Sequence, residues 1–164
     1  MIKVLVMDVD GTLTDGKIYI GKDEELFKAF NVKDGYGITQ ILSVYGIKPV
    51  IITGRKSEIL EMRCKELGIS EVYQNAQDKK IALIEYAGKF GISLNEEGIL
   101  PGVAYIGDDI PDLECIKIVE KSGCPSDAVK EIKKHVHYIT QKAGGEGAVR
   151  EFIEWIVLGE ELKF

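Results

Sequence analysis

The sequence predicts an α/β fold, a parallel sheet covered by helices on both faces, and three observations carry that expectation. Short, wholly apolar runs recur along the chain and each ends at a polar loop, the pattern of strands buried on both faces. Helix-like segments lie between them, each stopped by a glycine just past its last apolar position, where a left-handed residue ends a helix. The 164 residues suffice for one core at roughly 150 residues per domain, so residues 1–164 are expected to form a single domain.

In chain order, Lys3 to Met7 is the first buried strand and stops at Asp8. Lys17 to Ile20, a polar turn at Gly21-Lys22-Asp23-Glu24, and Glu25 to Phe30 break the alternation. They predict a β-hairpin over 17–30 that projects from the layers. Asp34 to Tyr45 is a helix ended by Gly46, and Lys48 to Ile52 is a strand running into Thr53-Gly54-Arg55. Ser57 to Leu67 is a helix ended by Gly68, Glu71 to Tyr73 a strand leading to Gln74-Asn75, and Lys79 to Phe90 a helix ended by Gly91. Val103 to Ile106 is the last predicted strand and opens into Gly107-Asp108-Asp109. A glycine-rich stretch, Gly144-Gly145-Glu146-Gly147, precedes a final helix at Ala148 to Val157, within a C-terminal tail of 144–164. Strands alternating with helices of this length imply parallel pairing.

Composition narrows the function. Hydrophobic residues make up 45% and charged residues 29%, as in ordinary globular proteins and unlike disordered chains. Acidic residues outnumber basic ones 27 to 21, for a net charge of −6; a generic nucleic-acid or anionic-membrane binder needs the opposite sign. No apolar stretch approaches the roughly 20 residues of a membrane span, and Met1-Ile2-Lys3-Val4 has no signal-peptide layout, so a cytoplasmic protein is expected. Cys64, Cys115 and Cys124 are odd in number and lack metal-type spacing, which predicts reduced, buried thiols.

In open α/β sheets ligands bind outside the carboxyl ends of the strands. The polar residues after the buried runs, Asp8, Asp10, Thr53, Lys79 and Asp108, should therefore converge. Asp8 and Asp10 stand two apart, and Gly11 permits a sharp turn away from the strand. Gathered carboxylates repel unless a cation lies among them, and a hard, oxygen-lined site suits Mg²⁺. A phosphoryl group there would face Asp8 as nucleophile, with Thr53 and backbone N–H groups donating to its oxygens and Lys79 supplying positive charge. Any one of these residues alone is more often a cap or a solvated charge; the ordered set of acid, hydroxyl, lysine and acid is what points to phosphoryl transfer.

Asp8-Val9-Asp10-Gly11-Thr12-Leu13-Thr14-Asp15, Ile52-Thr53-Gly54-Arg55, Asp78-Lys79 and Gly107-Asp108-Asp109-Ile110-Pro111-Asp112 resemble the four motifs of the haloacid dehalogenase (HAD) superfamily of phosphatases. Asn31-Val32-Lys33-Asp34-Gly35-Tyr36-Gly37-Ile38 and Gly144 to Glu151 narrow the resemblance to the 3-deoxy-D-manno-octulosonate (KDO) 8-phosphate phosphatases, and it covers nearly the whole chain. The resemblance implies a Rossmann-like HAD fold without an inserted cap domain. It also implies that Asp8 is the nucleophile and that Asp10 first protonates the leaving oxygen and then deprotonates water. Mg²⁺ is then held by Asp8, the Asp10 carbonyl and Asp108, with Asp109 and Asp112 orienting the loop. The implied substrate is a sugar acid phosphate of the lipopolysaccharide pathway, and the implied assembly is a homotetramer whose neighbours wall each pocket. Leu113-Glu114-Cys115 departs from the expected proline and apolar residue after Asp112, a change that should spare the chemistry.

Arginine pairs carboxylates bidentately, which makes Arg55 and Arg63, with Gly54 beside them, candidate substrate-binding residues. For Arg63 an ion pair with Glu66 is an equal alternative. Arg55 favours the eight-carbon substrate over a nine-carbon sugar acid 9-phosphate, whose phosphatases tend to glutamate there. A receiver-like phospho-accepting signalling domain also gathers Asp, Thr, Lys and Mg²⁺, but with the motifs in a different order. His135 and His137 could share one face of a strand, yet have no third soft ligand nearby and are expected to be structural.

Overall fold

Val4–Met7 forms β1, and all four of its side chains are buried, as a strand covered on both faces requires. The computed structural model describes residues 1–158; residues 159–164, the end of the predicted tail, lie outside the described residues. Tyr19–Ile20 (β2) and Glu25–Phe27 (β3) pair antiparallel as a separate two-stranded sheet, the expected hairpin with shorter strands. The predicted helix from Asp34 is three pieces in sequence: α1 (Val32–Tyr36), a π-turn at Gly37–Ile41, and α2 (Leu42–Val44). β4 (Lys48–Ile52), α3 (Glu58–Glu66), β5 (Glu71–Tyr73) and α4 (Lys79–Lys89) follow within a residue of expectation.

β6 begins earlier than Val103, spanning Leu100–Ile106. A 3₁₀ turn at Ile110–Asp112 then leads into α5 (Leu113–Ile116), β7 (Val119–Cys124), α6 (Lys130–Lys133), β8 (Tyr138–Ile139) and α7 (Ala148–Leu158). β7 and β8 escape the sequence reading for physical reasons. Glu120, Lys121 and Ser122 interrupt the apolar run of β7, and β8 is two residues long. The pair His135 and His137 precedes β8 rather than lying in it.

The six-stranded sheet has the order β5-β4-β1-β6-β7-β8, with every neighbouring pair parallel. Leu5 and Met7 of β1 enter one hydrophobic cluster with Ile51, Ile106 and the α7 residues Val149, Phe152 and Ile153. Val4 and Val6 enter the opposite cluster with Val50, Ile52, Tyr105 and the α4 residues Leu83 and Tyr86. Alternate residues of one strand thus feed two cores, each buried large side chain contributing roughly 1.5–3 kcal/mol. Register aligns Met7 with both Ile51 and Ile106, so β1, β4 and β6 release their polar loops at one level. The chain is an α/β fold with one parallel sheet between two apolar clusters, and among the described residues no helix is long and apolar enough to cross a membrane.

Candidate active site

Asp8 leaves β1 into a turn closed by bonds from the Thr12 and Thr14 N–H groups to the Val9 carbonyl (3.1 and 3.0 Å). Gly11 stands at φ +98°, and a Cβ there would lie 2.2 Å from the Asp108 carboxylate; no side chain fits that approach. The turn brings Asp8, Asp108 and Asp112 together, one carboxylate oxygen from each lying within 4.8 Å of the others. Lys79 answers them, donating to Asp8 Oδ1 at 2.6 Å and Asp112 Oδ1 at 2.8 Å. A lysine in the first turn of α4 opposes the helix dipole, and this one is buried; two carboxylates offset both costs.

Asp112 has both oxygens engaged. Oδ1 accepts from Lys79 and from the Tyr105 hydroxyl (2.7 Å), and Oδ2 from the backbone N–H groups of Asp108 (3.0 Å) and Asp109 (3.2 Å). It shapes the loop, while Asp109 caps the 3₁₀ turn through Ile110 N–H (2.7 Å). Asp108 accepts from the Thr12 hydroxyl at 2.9 Å. Burial first, then the Asp112 charge, pushes the Asp108 carboxyl up to about 6 and raises that of Asp8 well above the ordinary range, against the pull of Lys79. Hard oxygen donors crowded until they resist ionisation are a donor set that fits Mg²⁺.

An open cleft of about 300 Å³ lies over this cluster, lined by Asp8, Asp10, Thr53, Gly54, Arg55 and Lys79 among others. Thr53 is held by its N–H to the Tyr73 carbonyl (2.9 Å) and its carbonyl to Ala76 N–H (3.0 Å). Arg55 is half-exposed, its Nε 3.8 Å from Asp10 Oδ2. Arg63 is not in the cleft. It pairs with Glu66 at 2.8 Å, lies over the Phe30 ring and lines a separate crevice with Asp34 and Cys64. It stands several residues along α3, beyond the turn that faces the site.

Sequence reasoning gave no role to Lys28, whose ammonium reaches Asp10 Oδ1 at 2.6 Å from the hairpin, nor to the hydroxyls of Thr12 and Tyr105. The signal for Lys28 was a lone lysine set between Phe27 and Phe30. The glycine-rich segment packs behind the acidic turn, Gly145 N–H donating to the Thr12 carbonyl at 3.2 Å. His137 Nδ1 accepts from Ser122 N–H at 3.0 Å and His135 Nδ1 lies 2.9 Å from the Glu131 carbonyl; they form no joint site. Cys64, Cys115 and Cys124 are free and buried.

An acidic turn after the central strand, a threonine after its neighbour and a lysine reaching across to Asp8 are the features of a phosphatase of the HAD superfamily. No protein-family model matches the chain. It is 42% identical over 159 residues to 3-deoxy-D-manno-octulosonate 8-phosphate phosphatase KdsC of Escherichia coli K12, covering 97% of this chain and 81% of that protein. The crystal structure of the Moraxella catarrhalis phosphatase of the same name, in complex with magnesium ion, phosphate ion and KDO, matches with a TM-score of 0.87 at 42% identity, over 96% of this chain and 86% of that one. The cobalt-bound Haemophilus influenzae enzyme matches with a TM-score of 0.87 at 33% identity, over 96% and 88%. The chain belongs to the 3-deoxy-D-manno-octulosonate 8-phosphate phosphatase family, which sets aside the receiver-like alternative.

Proposed function

We propose that this protein hydrolyses KDO 8-phosphate to KDO and phosphate, with Asp8 as nucleophile and Asp10 as general acid and base. The observation that carries this reading is the gathering of Asp8, Asp108 and Asp112, two of them bonded to Lys79, beside a cleft that Asp8, Asp10, Thr53, Arg55 and Lys79 line. Asp8 attacks phosphorus while Asp10 gives its proton to the departing sugar oxygen; Asp10 then takes a proton from the water that opens the aspartyl-phosphate. Thr53 and Gly54 receive the phosphoryl oxygens, and Lys79 keeps Asp8 aimed. Asp8, Asp108 and the Asp10 carbonyl would hold Mg²⁺, which supplies charge neutralisation for the transferring group. Arg55 meets the sugar acid; Arg63 lies outside the cleft of its own chain.

The reading extends to a cytoplasmic, one-domain homotetramer. A multiply charged sugar phosphate and three free buried thiols fit a reducing, aqueous compartment. The hairpin leaves Ile20 71%, Leu26 59% and Phe27 50% exposed, an apolar surface on an otherwise marginal ribbon that a second copy would cover. Phosphate release tests the reaction. KDO 8-phosphate should be hydrolysed faster than a nine-carbon sugar acid 9-phosphate, and chelation should abolish turnover until Mg²⁺ is returned. Asp8→Asn should be inactive with its fold intact; turnover within a few-fold of wild type would remove Asp8 from the nucleophile's place.

A further inference from the structure

Among the described residues, Lys28 is the one group that donates a hydrogen bond to the Asp10 carboxylate. Its side chain is 3% exposed, and its ammonium bridges Asp10 Oδ1 at 2.6 Å and Glu25 Oε1 at 2.9 Å. The other Glu25 oxygen accepts from the Ser57 hydroxyl at 2.5 Å, and Ser57 Oγ accepts from Leu60 N–H at 3.2 Å as the N-cap of α3. One continuous polar chain therefore joins the acidic turn, the hairpin and the helix that follows Thr53-Gly54-Arg55.

We propose that Lys28 is the positioning residue for Asp10: it holds Oδ1 and so turns Oδ2 toward the cleft as the oxygen that exchanges the proton. Among the described residues Oδ2 accepts no hydrogen bond and its one ion-pair partner is the Arg55 guanidinium, 3.8 Å away, which leaves it free to meet a leaving oxygen. Asp10 sits on a turn, and among the described residues no other side chain hydrogen-bonds its carboxylate. Proton transfer requires heavy atoms within hydrogen-bond reach and aligned, so a carboxylate free to rotate would lose much of its effect. The arrangement also makes the general acid depend on the hairpin, since Lys28 and Glu25 both belong to it. In the first displacement the proton passes from Asp10 Oδ2 to the sugar oxygen as its bond to phosphorus breaks, and Lys28 keeps its own protons throughout.

This inference rests on the phosphatase reading above, and leaving groups separate the two. An alkyl phosphate such as KDO 8-phosphate needs protonation of its leaving oxygen; p-nitrophenyl phosphate does not. Steady-state rates of wild type, Lys28→Met and Lys28→Arg on both substrates, with thermal melting of each protein, form the test. Lys28→Met should lose about 10²-fold or more in kcat on the sugar phosphate, the scale of general acid catalysis, and only a few-fold on p-nitrophenyl phosphate. Lys28→Arg should restore most of the loss, and Glu25→Gln should show the same split, smaller, whether or not Lys28→Met folds. Equal losses on the two substrates, or a wild-type kcat on the sugar phosphate, would overturn the role of Lys28 while leaving the phosphatase reading standing. A wild type inert toward both substrates would overturn both.

Discussion

Gly144→Ala should slow catalysis from behind the site. A Cβ at Gly144 would lie 2.0 Å from the Gly11 carbonyl oxygen and 2.8 Å from that of Thr14, both backbone atoms. Ordinary contact begins near 3.4 Å, so the tail and the acidic turn must part by about 1.4 Å. The tail is anchored on its far side, with Gly144 N–H donating to Asp127 Oδ1 at 2.9 Å, and the turn by its bonds to Val9, so the strain divides between them. Moving the turn by roughly half of the separation displaces Asp10 and Asp8 against Lys79 and Thr53, and a misplacement of about 1 Å costs up to about 10²-fold. We expect kcat to fall about 10- to 100-fold in a phosphate-release assay, with cooperative melting retained. Gly88→Ala is the control: it lies in α4 with nothing within 4 Å of its added Cβ, should stabilise by up to about 1 kcal/mol, and should leave turnover alone. A Gly144→Ala enzyme with wild-type kcat would refute the claim that the glycine segment buttresses the turn.

Lys79→Met leaves Asp8 and Asp112 facing each other without their shared ammonium; breaking such a buried pair should cost about 3–5 kcal/mol in urea denaturation, and a loss under about 1 kcal/mol would contradict the pairing. Asp34 Oδ1 accepts from Arg150 N–H at the start of α7 (2.8 Å), and burial raises its carboxyl to about 6. A raised carboxyl binds its proton more tightly in the folded state, so its contribution is present at low pH and is lost as pH rises from about 4 through about 6. Asp34→Asn keeps an acceptor without a charge and should flatten that decline by up to about 3 kcal/mol; denaturation curves with an unchanged pH slope would count against it. If the proposed tetramer forms through the hairpin, replacing Ile18 and Ile20 with Asp should lower the mass seen in light scattering and raise the KM for the sugar acid phosphate more than for p-nitrophenyl phosphate; an unchanged mass would exclude the hairpin from any interface.

The inner strands were legible because burial on both faces leaves an uninterrupted apolar run: Val4 to Met7 and Lys48 to Ile52 could be little else. β7 was illegible because a strand toward the edge tolerates Glu120 and Lys121 where a central one cannot. The π-turn at Gly37–Ile41 keeps the apolar spacing of a helix and so reads as one. In the candidate site, Asp8, Asp10, Thr53, Lys79 and Asp108 were expected to converge from position alone, and the folded chain does bring them to one end of the sheet. Lys28 and Thr12 were not, because their partners are set by how a hairpin and a turn fold back, which no local spacing records. Arg63 shows the converse: its residue type fits a carboxylate ligand, but its place along α3 sends it to Glu66 and Phe30.

Charge accounting explains why the site has this composition. Asp8, Asp108 and Asp112 with Lys79 carry three formal negative charges and one positive, a net of two negative, in a setting that already resists ionisation of Asp8 and Asp108. A divalent cation cancels that remainder, which a second lysine would do only in part. In the proposed reaction the incoming phosphate dianion is to be met by donors that bring no further buried charge, a part that Thr53 and the backbone of its turn, lining the cleft, are proposed to play. Arg55 stays half-exposed at the rim, where the cost of keeping an arginine solvated and ready is small. Asp10 lines the same cleft but stands outside this balance, with a lysine of its own from the hairpin. In the proposed mechanism, separate cations for the two acids let Asp8 serve as nucleophile while Asp10 takes up and releases a proton.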